Sequence, residues 1–104
     1  MKIVDILTEQ SIVTELKGST KKQVMEELID AVLEYKPQLD RKRLMSVLLE
    51  RERLGSTGIG DGIAIPHGKL KDLDQLVLSF GRSTQGVDFE SMDGKPVHLF
   101  FLLV

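Results

Sequence analysis

The sequence predicts one α/β or α+β domain, and three observations lead to this fold class. Two segments with helical spacing of apolar residues lie in the first half of the chain. Short apolar and β-branched segments, separated by Gly and Asp turn signals, occupy most of the second half. The length of 104 residues allows a single domain with a modest core and not two domains.

The first helix is predicted over residues 21–35, where apolar residues recur at spacings of one, three and four. Gly18–Thr20 supplies a turn and an N-cap before it, and Pro37 ends it. The apolar face of this helix consists of Val24, Met25, Leu28, Ile29 and Val32.

The second helix is predicted to begin after Asp40, whose side chain can cap it. Its last turn carries Arg51 and Arg53, which suit the negative end of a helix dipole. Gly55 stands where a C′ glycine is expected. The apolar face consists of Leu44, Met45, Val47 and Leu48.

Four strands are predicted from short apolar or alternating runs, and three turns from Gly and Asp. The strands are Ile12–Leu16, Ile63–Ile65, Leu76–Phe80 and Val97–Val104. The turns are Asp72–Asp74, Gln85–Gly86 and Asp93–Gly94, the last being a hairpin-type signal.

The last predicted strand, Val97–Val104, is nearly all apolar, which is typical of a strand covered on both faces. Two helices are few for a sheet of four or more strands. We therefore expect residues 1–104 to be a single domain that is truncated at its C-terminal end, or a domain whose missing layer another chain supplies. A homo-oligomer is left open by this expectation.

The charge pattern excludes several classes of partner. Fourteen basic and sixteen acidic residues are interspersed, so no nucleic-acid surface is expected, and the short Arg41–Arg43 cluster is interpreted as a solvated helix start.

Cysteine is absent, which excludes disulfides and thiolate chemistry. No apolar run is long enough to span a bilayer, and Met1–Leu7 lacks the features of a signal peptide, so a cytoplasmic protein that is not membrane-embedded is expected.

The stretch Gly55–Gly68 is the most informative part of the chain. It contains five of the nine glycines, and His67 is its one side chain that can accept or donate a proton near neutral pH. Glycines lose more conformational freedom on folding than other residues, so a cluster of them indicates a backbone that other residues cannot adopt. We therefore expect the functional site to lie around His67.

Spacing excludes the common phosphate cradles. A P-loop needs four residues between its glycines and then Lys with Ser or Thr, whereas five residues separate Gly62 from Gly68 and Leu70 follows the lysine. A dinucleotide-binding fingerprint requires glycine at its sixth position. Counting from Gly58 gives Ile63 at that position, and counting from Gly60 gives Ile65, so the fingerprint is absent. No metal site is expected at His67, because the other histidine, His98, is far along the chain and no His-x-x-x-His spacing occurs.

Three interpretations of His67 remain from the residues alone. A neutral imidazole nitrogen is a competent nucleophile towards phosphorus, and Arg51, sixteen positions earlier, can neutralise phosphoryl oxygens. A plain turn at Pro66–Gly68 explains the same residues equally well. A Ser56-Asp61-His67 hydrolase lacks a nucleophile-elbow sequence and is disfavoured.

The chain resembles the fructose/mannitol-type enzyme IIA domains of the bacterial phosphoenolpyruvate-dependent phosphotransferase system. The resemblance covers essentially the whole chain, and its central motif is long and specific. The segments that carry it are Asp5–Thr8, Lys22–Leu28, Glu50–Leu70, Gly86–Phe89 and Asp93–Val97.

This resemblance implies a mixed β-sheet flanked by helices and a cytoplasmic phosphocarrier that needs no metal or other cofactor. His67 falls on the family's phosphorylated histidine and Arg51 on the arginine beside it. Ser56, Thr57 and Gly68 are assigned to the phosphate pocket, although loop stabilisation explains the two hydroxyls equally well. His98, in the last strand, is interpreted as structural. The phosphoryl donor is HPr or its nitrogen-branch relative.

Three functions are compatible with this resemblance. The sequences of Arg53–Gly60 and Ile65–Leu70, in a free chain, favour the nitrogen-regulatory type, which acts on regulatory target proteins. The first alternative is a sugar-specific IIA component that passes phosphate to a IIB domain. The second is an interaction module that keeps the fold without being phosphorylated.

Overall fold

Residues 9–71 and 76–104 are described by a computed structural model of the protein, and they form two α-helices and five β-strands. The elements in chain order are β1 (Ile12–Val13), α1 (Lys21–Tyr35), α2 (Arg41–Arg53), β2 (Gly58–Gly60), β3 (Ile63–Ala64), β4 (Leu78–Val87) and β5 (Val97–Leu103). Neither helix in these residues has the length and apolar character that crossing a bilayer requires.

The five strands of this part of the chain form one mixed sheet with the order β1-β4-β5-β3-β2. β1 runs parallel to β4, and β3 runs parallel to β5. The β4–β5 and β2–β3 pairs are antiparallel. The α/β class and the mixed sheet with helices are thereby confirmed.

Both helices have the predicted extents, because their end signals act locally. Thr20 Oγ1 accepts a hydrogen bond from the backbone N–H of Gln23 at 3.2 Å. Asp40 Oδ1 accepts from the N–H of Lys42 at 2.9 Å. Gly55 directly follows the C-cap of α2 with a φ of +154°, so the glycine stands at the expected place but outside the usual left-handed helical region.

The helices pack on one face of the sheet, where β5 contributes Phe100 and Leu102 to the core. α1 approaches β4 closely at Gly81, where an added Cβ would lie 2.8 Å from Leu28 Cδ2. Fully buried helix residues on this side are Val24, Met25, Leu28, Ile29, Val32 and Leu44.

The opposite face of β5 is only half-buried by the described residues, so the predicted coverage of this strand on both faces stays a prediction. Leu99, Phe101 and Leu103 lie on this face, and the centroids of the Phe101 and Phe80 rings lie 4.9 Å apart with the ring planes tilted by 53°. Because side chains alternate between the two faces of β5, one face of the strand lies in the closed core and the other forms a partly open apolar layer. What covers the open layer stays a prediction.

The strands differ from their predicted extents because pairing, not local sequence, sets their ends. β1 stops at Val13 and not at Leu16. β4 continues through the turn predicted at Gln85–Gly86, where Gly86 has a φ of +86° and the pairing with β5 shifts register. This turn prediction was wrong, since the glycine forms a bulge inside the strand. The turn predicted at 72–74 lies outside the described residues.

A tight hairpin turn is formed by Asp61 and Gly62, where no turn was predicted from the sequence. They connect β2 to β3 with φ values of +55° and +76°. Positive φ at both central residues is typical of a type I′ turn, for which Asp-Gly is a preferred pair. Asp93–Gly94 forms a turn as predicted, but within the longer connection 88–96 between β4 and β5.

The two turns are joined by the Asp93 carboxylate. Its Oδ2 accepts from the N–H of Asp61 at 3.0 Å, and its Oδ1 accepts from the N–H of Lys95 at 3.0 Å. Hydrogen bonds from Lys95 and Asp61 hold the pKa of Asp93 below its ordinary value of 3.8. The carboxylate therefore fixes the glycine-rich hairpin to the connection before β5.

We predict that Asp93→Asn flattens the acid dependence of stability. The pKa of the carboxyl is lower in the folded state, so its contribution is fully present above pH 3.8 and is lost as pH falls through the folded value. Thermal unfolding measured between neutral pH and pH ~2 should show a smaller drop in Tm for the variant. Asp61→Asn is the matched control, because it keeps the N–H that donates to Asp93. Equal slopes for wild type and Asp93→Asn would contradict the prediction.

Candidate functional site

Backbone hydrogen bonds on both sides of His67 anchor it to the end of β5. Leu103 N–H donates to the Pro66 carbonyl at 2.9 Å, and Gly68 N–H donates to the Leu103 carbonyl at 3.1 Å. These bonds continue the parallel β3–β5 pairing past the end of β3. The histidine is therefore held by the sheet, although its side chain is exposed.

The imidazole ring of His67 has a defined orientation. Its Nδ1 lies 2.7 Å from the carbonyl oxygen of Ile65. A carbonyl oxygen can only accept, so Nδ1 carries the hydrogen and the neutral ring keeps its lone pair on Nε2. Nε2 is thus the nitrogen available for bonding to a reactant.

An open groove of about 510 Å³ lies beside His67. One wall comes from the last turns of α2 and the other from the segment that follows β3. The lining residues are Ser46, Val47, Glu50, Arg51, Leu54, His67, Gly68 and Lys69. The groove thus combines an apolar floor with an imidazole and two cationic side chains.

Arg51 and Arg53 both lie in the last turn of α2, two residues apart, but have different partners. Arg51 donates from Nη1 to the carbonyl of Gly55 at 2.9 Å, and within residues 9–71 and 76–104 it pairs with no carboxylate. Arg53 instead forms an ion pair with Glu50, with Nε 3.2 Å from Oε2. Its guanidinium holds the pKa of Glu50 below 4.5. The charge of Arg51 is therefore available to an anion in the groove.

Ser56 and Thr57 lie outside this groove, although the sequence analysis assigned them to the phosphate pocket. Ser56 Oγ donates to the Phe89 carbonyl at 2.6 Å. The Thr57 hydroxyl is buried and donates to Glu52 at 2.6 Å. Both hydroxyls stabilise the loop, so the Ser56 hydroxyl of the hydrolase considered above is bonded to Phe89 and lies outside the groove of His67.

Gly68 does line the groove, and its role there is a close approach to α2. A Cβ at this position would lie 3.0 Å from Val47 Cγ2 and 3.3 Å from the Val47 carbonyl carbon. The absence of a side chain lets the segment carrying His67 pack directly on the helix that carries Arg51. His98, by contrast, lies in β5 with Nδ1 2.8 Å from the Ser83 carbonyl.

Two residues of the site were missed by the sequence analysis. Lys69 lines the groove next to Gly68. From the sequence, this lysine served only to show that the glycine-rich stretch does not match a P-loop. Glu52 is buried under the loop and binds Thr57. An acidic residue in the last turn of a helix opposes the helix dipole, and this unfavourable placement was the available signal.

The fold and the groove define a small α/β domain that presents an anchored, exposed histidine beside an arginine. A family model described as "Phosphoenolpyruvate-dependent sugar phosphotransferase system, EIIA 2" matches residues 5–104. The chain belongs to this family of phosphotransferase-system components.

The names of the chain's relatives in this family are of two kinds, regulatory and sugar-specific. The chain is 45% identical over its full length to a nitrogen regulatory protein of Bradyrhizobium diazoefficiens, of which it spans 67%. It is 40% identical over 103 residues to the fructose-specific EIIABC component of Bacillus subtilis, of which it spans 16%. The family match therefore includes both regulatory and sugar-specific proteins.

Solved structures support the fold. The nitrogen regulatory protein IIA-Ntr from Neisseria meningitidis superposes with a TM-score of 0.89 at 40% identity, over 97% of this chain and 68% of that one. The mannitol IIA of Escherichia coli superposes with a TM-score of 0.75 over 92% of this chain and 69% of its own, at 22% identity. The second likeness shows a shared fold.

We predict that Gly68→Ala destabilises the protein by about 1–3 kcal/mol, because the added methyl group overpacks the contact with Val47. Chemical denaturation measures the loss. Adding Val47→Ala removes Cγ2, so the same glycine substitution should cost less in that background. An equal cost in both backgrounds would show that this contact is not the cause.

Proposed function

We propose that this protein is a phosphohistidine carrier that accepts a phosphoryl group on Nε2 of His67. The observation that carries the proposal is the Nδ1 contact with the Ile65 carbonyl, which leaves the Nε2 lone pair free on an exposed ring. Family membership supports phosphoryl transfer as the chemistry. We propose HPr or its nitrogen-branch relative as the donor, and the cytoplasm as the place of reaction.

In the transfer step, the Nε2 lone pair attacks the phosphorus of the donor's phosphohistidine in line. The bond between phosphorus and Nε2 forms as the donor's P–N bond breaks, and that electron pair stays on the donor imidazole. The ring of His67 gains positive charge during this step. The carbonyl of Ile65, 2.7 Å from Nδ1, stabilises that charge and keeps the proton in place.

The phosphoryl oxygens carry negative charge throughout the transfer and need a cationic partner. Arg51 lines the groove, and its guanidinium has the geometry to bind two oxygens at once. Lys69 adds a second positive charge to the same groove. Glu50 does not offset these charges fully, because Arg53 is paired with it.

We further propose the nitrogen-regulatory type, in which phosphorylated His67 serves as a regulatory mark. Support comes from the 45% identity with the Bradyrhizobium nitrogen regulatory protein over the whole chain. The second candidate is a sugar-specific IIA component, which the 40% identity with the fructose-specific EIIABC component favours. The solved complex of mannitol IIA with phosphorylated mannitol IIB from Escherichia coli illustrates the kind of partner this second candidate would require.

We predict that incubation with phosphoenolpyruvate, enzyme I and HPr or its nitrogen-branch relative places an acid-labile phosphate on His67. His67→Ala should abolish the label, whereas His98→Gln should retain it, because His98 is held inside the sheet. Mass spectrometry and acid lability of the label measure the outcome. An unlabelled wild-type protein would contradict the carrier proposal and would favour the alternative of a non-phosphorylated interaction module.

We predict that Arg51→Ala lowers the phosphorylation rate about 10²-fold, as loss of a group that stabilises transferring charge does. Arg53→Ala is the matched control on the same helix turn, and its rate should stay within a few-fold of wild type. Rates are measured with rapid-quench single turnovers. Equal loss in both variants would mean that general helix charge, and not Arg51, supports transfer.

Transfer onwards separates the two candidates. The labelled protein is mixed with a fructose-type IIB domain, and the label on each protein is followed with time. Retention of the phosphate on His67 supports the regulatory type. Rapid passage to IIB supports the sugar-specific component.

A further inference from the structure

Glu52 is the charged residue most deeply placed beneath the glycine-rich loop, with only 8% of its surface exposed. Its Oε1 accepts from the backbone N–H of Thr57 at 2.9 Å, and its Oε2 accepts from the Thr57 hydroxyl at 2.6 Å. Oε1 also lies 3.1 Å from Nζ of Lys21. The carboxylate thus binds one loop residue through two separate donors.

The backbone of Thr57 carries this constraint towards the active histidine. The carbonyl of Thr57 accepts from the N–H of Ile65 at 2.9 Å. The carbonyl of the same Ile65 accepts from Nδ1 of His67 at 2.7 Å. Three hydrogen-bonded steps therefore connect the Glu52 carboxylate to the imidazole ring.

We propose that Glu52 is a positioning residue that, through Thr57 and Ile65, fixes the tautomer and orientation of His67. The inference rests on the proposed phosphohistidine function. Glu52 lies outside the groove and touches no reacting atom, so it acts through the loop backbone. Its neighbour Arg51 lies in the same helix turn and binds the carbonyl of Gly55, so α2 holds the loop start at two adjacent positions.

Lys21 stabilises the buried carboxylate in this arrangement. Its ammonium bridges Glu52 and Glu90, with Nζ–O distances of 3.1 and 3.0 Å. Burial alone would lower the pKa of Lys21, but the hydrogen bonds that its ammonium donates to these two carboxylates raise the pKa above 10.5. The lysine stays charged, and the carboxylate keeps its two bonds to Thr57 available.

The two glutamates offer a matched pair for the test. Both bind the same ammonium, but the side chain of Glu90 is 78% exposed while only Glu52 also binds Thr57. Glu52→Gln keeps the shape and one accepting oxygen, while its amide nitrogen cannot accept from either Thr57 donor. Glu90→Gln removes a negative charge beside the Lys21 ammonium and leaves the bonds between Glu52 and Thr57 in place.

The experiment measures the ring of His67 directly, using nitrogen-15 chemical shifts of the imidazole in the intact chain. The wild type should show the neutral tautomer with hydrogen on Nδ1. Glu52→Gln should show a mixture of both tautomers, and Glu90→Gln should match the wild type. If Glu52→Gln does not fold, Thr57→Val replaces it, because that variant loses the hydroxyl donor alone.

The second readout is the phosphorylation rate. Glu52→Gln should slow the single-turnover rate at saturating donor about 10–100-fold, as small misplacements of a reacting group do, while the half-saturating donor concentration stays unchanged. An unchanged tautomer ratio in Glu52→Gln overturns the inference, and so does an equal effect of Glu90→Gln. If the wild type is not phosphorylated, the proposed function fails, and the tautomer measurement still decides the role of Glu52.

Discussion

The hydrogen bonds between the Glu52 carboxylate and Thr57 are the interaction on which the site depends. They join the end of α2 to the start of the glycine-rich loop, at 2.9 and 2.6 Å. A buried carboxylate is costly unless it is paired, and here Lys21 from the start of α1 supplies the counter-charge. The two helices and the loop are therefore held together by one anion, and the groove forms where α2 meets the segment around His67.

Local signals allowed the helices to be predicted accurately, whereas the strands depended on partners that a single sequence does not reveal. Thr20 and Asp40 cap their helices as expected, because capping involves neighbours two or three residues away. β4 extends past Gln85–Gly86 because the residues on both sides of this segment, Arg82 and Val87, pair with β5. A glycine that looks like a turn in the sequence is a bulge once the partner strand is present.

The site could be predicted in part for the same reason. The order Pro-His-Gly and the position of Arg51 led to residues that the structure brings to one groove, although their role in transfer stays a prediction. The hydroxyls of Ser56 and Thr57 were open to several partners, and tertiary packing selected Phe89 and Glu52 for them. No local pattern determines which acceptor a loop hydroxyl meets.

The edges of the sheet have a consequence for how the protein can meet its partners. In the described part of the chain, the outermost strands are Ile12–Val13 and Gly58–Gly60, which are two and three residues long. Such short edges expose few unpaired backbone groups, so another chain gains little by adding a strand there. Recognition by side chains around the groove would leave a partner free to dissociate quickly, which suits the proposed role of a carrier that receives a phosphoryl group from one molecule and releases it to another.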